Sequence, residues 1–229
     1  MPGHSIAVQT VEYSPGRSAD VLGDQAQPTV LMWHGAQTDS RAAMSPLAQR
    51  VHGHGLAVVL ADWDSHADDG GRADLLASAR FAQQRADGRP LCLVGWSMGG
   101  LAAAGLTLHA RRSGVAVAHA VCLAGAFMAR DPISGAPLPT SFGDESPTPF
   151  TLLHGADDDV IPPDASREFA ETLQNNDWPV DCTVLAADHG SIAGAEYDPT
   201  ADRYSPASDA PALAIADDVA ARIATVFGD

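Results

Sequence analysis

The chain has 229 residues, 45% of them hydrophobic, and carries 13 arginines and no lysine against 29 acidic residues, for a formal charge of −16. That length supports a single core, and no Ser/Gly- or Pro-rich linker divides it, so one domain spanning 1–229 is expected. So acidic a surface repels nucleic acid and anionic membranes and excludes both as partners, and no apolar run is long enough to span a bilayer.

Taken in order, Met1 to Ser5 holds no basic cluster leading into an apolar run, so no signal peptide is expected. Ile6 to Val11 alternates as an edge strand does, and Pro15-Gly16 turns it. Thr29 to Trp33 is a buried-type strand that closes at His34-Gly35-Ala36-Gln37, and Ser40 to Val51 then sets Met44, Leu47 and Val51 at helical spacing. Gly53 and Gly55 stop that helix. Leu56 to Leu60 is the next strand, ending at Ala61-Asp62-Trp63-Asp64, and Ala73 to Gln84 reads as a helix. A strand from Leu91 to Gly95 passes through Ser97 into an Ala- and Leu-rich helix that ends at Ser113-Gly114. Val115 to Leu123 is a strand, and Met128 to Pro149 a loop rich in Pro, Gly, Ser and Asp. Phe150 to Leu153 is a strand closing at His154-Gly155, and Pro163-Asp164 starts a helix with Phe169 and Leu173 on one side. Val180 to Leu185 is expected to be the last strand, running into Ala187-Asp188-His189-Gly190; a final helix from Asp209 carries Ile215, Val219, Ile223 and Val226 as an apolar stripe.

Apolar strands alternating with helices predict an α/β fold, a mostly parallel central sheet with helices on both faces. Functional groups then gather at the carboxyl ends of the strands, where His34-Gly35, Asp62 to Asp64, Ser97, Asp157 to Asp159 and His189 all fall. Cys92, Cys122 and Cys182 lie inside strands; an odd number without secretory context predicts reduced, buried thiols and a cytoplasmic location.

Gly95-Trp96-Ser97-Met98-Gly99 fits G-x-S-x-G where that pattern carries meaning, at a strand turning sharply into a helix. Such a turn exposes the serine hydroxyl at the strand tip, and the flanking glycines let the two backbones approach. The helix N-terminus beside it favours a developing oxyanion.

Four motifs in one order, His34-Gly35, Gly95-x-Ser97-x-Gly99, His154-Gly155-Ala156-Asp157-Asp158-Asp159-Val160-Ile161-Pro162 and His189, make the chain resemble the α/β-hydrolase family from Thr29 to Phe227. It is most similar there to small carboxylesterases and dienelactone-hydrolase-like esterases. The resemblance implies a catalytic triad of Ser97 as nucleophile, His189 as base and Asp158 as the acid that orients the imidazole, in the family's chain order. It further implies an oxyanion hole from the backbone N–H groups of Ala36 and Met98, and acyl transfer that needs no cofactor. His34 and His154, at H-G strand ends, are expected to hold loops. His52-Gly53-His54 with His66 lacks a positioned carboxylate, so no metal is expected.

The family's cap usually follows the strand equivalent to Val115 to Leu123; here the intervening loop is too short for a cap domain but long enough for a flap. An open site for short or accessible esters is expected, with Gln37, Trp96, Phe127 and Ile161 as candidate substrate contacts, alongside Trp33, Trp63 and Met128. Thioester, lactone and amide cleavage use the same groups. A serine where dienelactone hydrolase proper has cysteine disfavours that activity. A non-catalytic binding protein on the same fold is the alternative of another class. The expected partner is a small-molecule ester, and a homodimer stays open.

Overall fold

The computed structural model describes residues 8–143 and 145–228. Met1 to Ser5 and the Ile6-Ala7 start of the expected first strand lie outside the described residues. Gln9–Ser14 (β1) and Arg17–Leu22 (β2) form an antiparallel hairpin over Pro15-Gly16, with Gly16 at φ +74°. No strand is expected at 17–22 from sequence, because its polar residues obscure the alternation; Ala19 and Val21 nevertheless point into the core.

β2 pairs antiparallel with β4 (Ala57–Ala61), and from there β3 (Thr29–Trp33), β5 (Leu91–Trp96), β6 (Val117–Leu123), β7 (Phe150–Gly155) and β8 (Val180–Leu185) run parallel. The strand order is β1-β2-β4-β3-β5-β6-β7-β8. Alternation along each strand divides the core between two faces. Leu31, Trp33, Leu91 and Leu93 meet α2 (Arg72–Arg85), α3 (Met98–Leu108) and α5 (Asp164–Gln174) on one face. Val30, Met32, Cys92 and Val94 meet α1 (Ser45–Gly53) and α6 (Ala210–Thr225) on the other.

Three local departures from the sequence reading have physical causes. A 3₁₀ turn at Arg41–Met44 precedes α1, where Pro46 occupies the first helical turn that tolerates it. The helix expected through Ser113 breaks at His109, and a short α4 (Ala110–Ser113) follows, ended by Gly114 at φ +68°. The apolar stripe of α6 centres on Ala216, Val219, Ala220 and Ile223, with Ile215 and Val226 at its half-buried margin.

A fourth departure bears on the site. Past β8 the chain makes an antiparallel hairpin, β9 (Ala195–Asp198) with β10 (Arg203–Pro206), where the sequence offered no strand, only a segment that either borders the site or connects to the last helix. Between β6 and β7, residues 124–149 form neither helix nor strand among the described residues.

Parallel register brings the motifs together. Trp33 lies beside Gly95, so the His34-Gly35 turn emerges next to Ser97, and Gly155 lies beside Leu185, so the Asp158 loop emerges next to His189.

Candidate active site

Ser97 joins β5 to α3 at φ 57°, ψ −118°, a conformation that glycine adopts freely and other residues only under strain. The turn is pinned on both sides: its N–H donates to the Leu123 carbonyl (2.9 Å), and its own carbonyl accepts from Ala126 (3.1 Å) and Leu101 (3.1 Å). The flanking glycines are steric necessities. A Cβ on Gly95 would stand 2.0 Å from the Gly99 carbonyl oxygen, and one on Gly99 2.4 Å from the carbonyl oxygens of His34 and Trp33. Gly35 packs against Ser97 itself, its absent Cβ position 3.4 Å from the serine Cβ.

His189 is buried, and its Nδ1 lies 2.7 Å from Asp158 Oδ2. A carboxylate only accepts, so Nδ1 carries the proton and Nε2 keeps a lone pair. The ring is held from two sides: the Trp96 indole N–H donates to the His189 carbonyl (2.7 Å) with the ring centroids 5.4 Å apart, and Tyr204 on β10 packs at 5.9 Å. Asp188 fixes the surrounding loop by accepting from the N–H groups of Gly190 (2.9 Å) and Ser191 (2.7 Å). Among the described residues the Ser97 hydroxyl forms no hydrogen bond.

Asp158 Oδ1 accepts from the N–H groups of Val160 (2.9 Å) and Ile161 (2.8 Å). Burial alone would raise its pKa, but hydrogen bonding from His154, His189 and the Ile161 backbone outweighs burial and holds the carboxyl well below the usual carboxylate range. It is a fixed anion beside His189.

The turn after β3 is set by His34, which is fully buried. Its Nε2 accepts from the N–H groups of Ser40 (3.3 Å) and Trp63 (3.2 Å), so Nδ1 carries the ring proton and donates to the Gly35 carbonyl (2.8 Å). In a trans peptide C=O and N–H point opposite ways, so anchoring that carbonyl turns the Ala36 N–H outward from His34. Burial, with lesser help from Arg41 and Arg17, pushes the His34 pKa down to about 4 and keeps the ring neutral. The N–H groups of Ala36 and Met98 have no protein acceptor among the described residues.

The expected substrate contacts fare unevenly. Trp96 is 2% exposed and holds His189 from behind, so it is a core support and not a surface a ligand can touch. Trp33 and Trp63 are likewise buried, donating to Ser78 (3.0 Å) and to the His34 carbonyl (3.0 Å). Gln37 has its side-chain oxygen occupied by the Tyr204 N–H (2.9 Å), tying the β9–β10 hairpin to the turn that carries Ala36. Phe127 is half-buried and stacks on Phe169 at 4.3 Å, and with Met128, Leu138 and Pro162 it lines a cleft of about 240 Å³. Ile161 is half-buried in the turn that closes over Asp158.

From sequence, Tyr204 belongs to the 191–208 segment read either as a border of the site or as a plain surface connection; in the structure it meets Trp96 edge-on at 4.8 Å. Burial, then the carboxylates of Asp158, Asp159 and Asp188, push its phenol pKa up to about 12. Its only signal was an aromatic placed between prolines shortly after His189. Met128 and Val160, on the loops after β6 and β7, and Tyr197 on β9 are large apolar side chains left exposed.

Strand order, the elbow at Ser97 and the loops after β7 and β8 together define the α/β-hydrolase fold. The sequence matches no family model and no curated protein. Solved structures match along its length. A hyperthermophilic esterase from the archaeon Pyrobaculum calidifontis superimposes with TM-score 0.73 at 16% identity, covering 99% of this chain and 87% of that one. Thermogutta terrifontis esterase 2, solved phosphoramylated by tabun, gives 0.72 at 17% identity over 99% and 97%. MGS-M1, an α/β-hydrolase enzyme from a Medee basin deep-sea metagenome library, gives 0.71 at 15% over 98% and 99%. Identities this low establish a common fold. No described helix is long and apolar enough to cross a membrane.

Proposed function

We propose that the protein is a serine hydrolase that cleaves carboxylic esters of small or accessible substrates through an acyl-enzyme on Ser97. The observation that carries this reading is the 2.7 Å Asp158–His189 bond, which leaves Nε2 as a free base, together with a serine held at φ 57° on a strand-to-helix turn whose preceding residue, Trp96, packs on the His189 ring. A serine held at φ 57°, ψ −118°, with glycines forced on either side, is explained by a need to present that hydroxyl.

In the proposed reaction Ser97 Oγ attacks the ester carbonyl carbon while His189 Nε2 removes its proton. The carbonyl oxygen becomes an oxyanion that receives the N–H groups of Ala36 and Met98. The tetrahedral intermediate collapses, breaking the carbon–oxygen bond to the alcohol, and the alcohol leaves with the proton from His189. Water repeats the cycle on the acyl-enzyme. Asp158 stays ionised throughout and stabilises the transient imidazolium.

The esterase names of the structural neighbours, and the tabun adduct of one of them, are consistent with ester chemistry on this fold. Met128 and Val160, exposed on the loops after β6 and β7, leave apolar surface at the sheet end that carries Ser97, which suits neutral esters, and an irregular segment in place of a cap suits short ones.

The test is hydrolysis of p-nitrophenyl esters of increasing chain length by wild type and Ser97→Ala, with mass mapping of a fluorophosphonate adduct. Acetate to butyrate esters should be cleaved by wild type alone, with the adduct on Ser97. Equal rates in the two proteins, or no adduct, would refute the assignment, and a strong preference for long chains would refute the open site.

A further inference from the structure

His154, at the end of β7, has no solvent-accessible side-chain surface, and neither does the Asp158 side chain beside it. Its Nε2 faces two acceptors, the Ile161 carbonyl at 2.9 Å and Asp158 Oδ2 at 3.3 Å, so Nε2 carries the proton. Nδ1 therefore accepts, and its partner at 2.7 Å is the hydroxyl of Ser166 on α5, which must donate. Ile161 is thereby gripped twice, its carbonyl by His154 and its N–H by Asp158 Oδ1. The turn that wraps the carboxylate is clamped shut by a buried imidazole, and Oδ2 lies between two imidazole N–H groups, that of His189 at 2.7 Å and that of His154 at 3.3 Å.

We infer that His154, oriented by Ser166, is a positioning residue for the triad acid: it closes the turn around Asp158 and withholds part of the Oδ2 charge from His189. The inference rests on the proposed triad of Ser97, His189 and Asp158. A merely structural histidine would need one good acceptor in the core; here the donor is shared with the carboxylate that faces the base. Removing it frees the Ile161 carbonyl and leaves Oδ2 to His189 alone. The imidazolium is then better stabilised, so the base protonates at higher pH. Of the ionisable groups nearby, Tyr204 on β10 packs on the His189 ring and feels the carboxylates of Asp158, Asp159 and Asp188, and the substitution leaves all of these in place.

The experiment measures the rate of covalent inactivation by a fluorophosphonate probe between pH 5 and 9, with thermal melting in parallel, for wild type, His154→Leu, His154→Gln and Ser166→Ala. His154→Leu should inactivate more slowly at the optimum, by up to about 100-fold as expected of a misplaced reacting group. Its low-pH limb should move up by about half a unit. Glutamine retains an N–H donor and should restore most of both, while Ser166→Ala should show a smaller shift of the same sign. An unmoved limb with only reduced amplitude, or glutamine as slow as leucine at equal stability, would overturn the inference. Should the leucine variant not fold, an unmoved limb in Ser166→Ala overturns it. Wild type unlabelled at every pH refutes the triad itself, an outcome distinct from a labelled wild type with unmoved variants.

Discussion

Replacing Ser97 by glycine should abolish activity and stabilise the protein, whereas replacement by alanine should abolish activity without that gain. At φ 57°, ψ −118° any residue with a Cβ pays backbone strain of about 1–3 kcal/mol, and alanine retains it. Glycine removes the strain but loses about 0.5–1 kcal/mol through the greater freedom of its unfolded chain. It also forfeits the Cβ contact with Gly35, worth less than about 0.8 kcal/mol. The net advantage of glycine over alanine is about 1 kcal/mol, or about 2–4 °C in melting temperature for a chain of this size. Urea and thermal unfolding of the two inactive variants, compared directly, isolate the strain from the chemistry. A glycine variant less stable than the alanine variant would refute the claim that the elbow stores strain to present a hydroxyl, and would make the turn a relaxed one.

Asp158→Asn should lower kcat by about 10³- to 10⁴-fold with KM little changed, because an amide can donate to the imidazole and select the wrong tautomer; steady-state kinetics on p-nitrophenyl acetate decide it. The folded pKa of His34, about 4, lies below the ordinary histidine value near 6.5, so the unfolded chain binds the extra proton and stability falls as pH drops through that window. Wild type should therefore lose about 2 kcal/mol more than His34→Gln between pH 7 and pH 4.5; parallel urea titration curves would contradict the neutral, buried assignment. Gln37→Ala removes the acceptor of the Tyr204 N–H and should weaken hairpin docking by about 1 kcal/mol, seen as roughly fivefold faster hydrogen exchange across 195–206. Unchanged exchange would mean that the hairpin is held without this bond, by Tyr204 packing on Trp96 and His189 and by its backbone ties to Gly190 and Gly194.

Much of this was legible in one dimension. Five of the eight sheet strands, β3 to β7, follow from apolar runs bounded by glycine and proline, since a strand buried on both faces has little choice of residue. The elbow was legible because Gly95 and Gly99 meet backbone atoms that no side chain could avoid, so local sterics wrote the motif. The strand at 17–22 and the β9–β10 hairpin were not. Their residues are half exposed and polar, and they are strands only because a partner is already in place to accept their hydrogen bonds.

The candidate substrate residues show the same division. Trp96 sits one residue from Ser97, but strand alternation sends its ring into the core on the α1–α6 face of the sheet, where it supports His189. Gln37 lies beside the Ala36 turn, yet its oxygen is claimed by a backbone N–H 167 residues further along the chain. No periodicity encodes such a tie.

By itself, then, the sequence determined the chemistry available and the order in which it is delivered: a serine on a forced turn, a carboxylate in a turn of its own and a histidine after a strand, each set by short-range sterics and hydrogen bonding. Only the tertiary structure decided which groups meet. The 2.7 Å contact of Asp158 with His189 depends on β7 and β8 pairing with Gly155 beside Leu185, and the proximity of the His34 turn to Ser97 on Trp33 pairing with Gly95. Those registers are properties of the packed sheet. The same packing turns His154 and His34, two identical H-G strand ends in sequence, into a clamp on a carboxylate and an anchor for a peptide plane, because what a buried imidazole does is set by the acceptors folded around it.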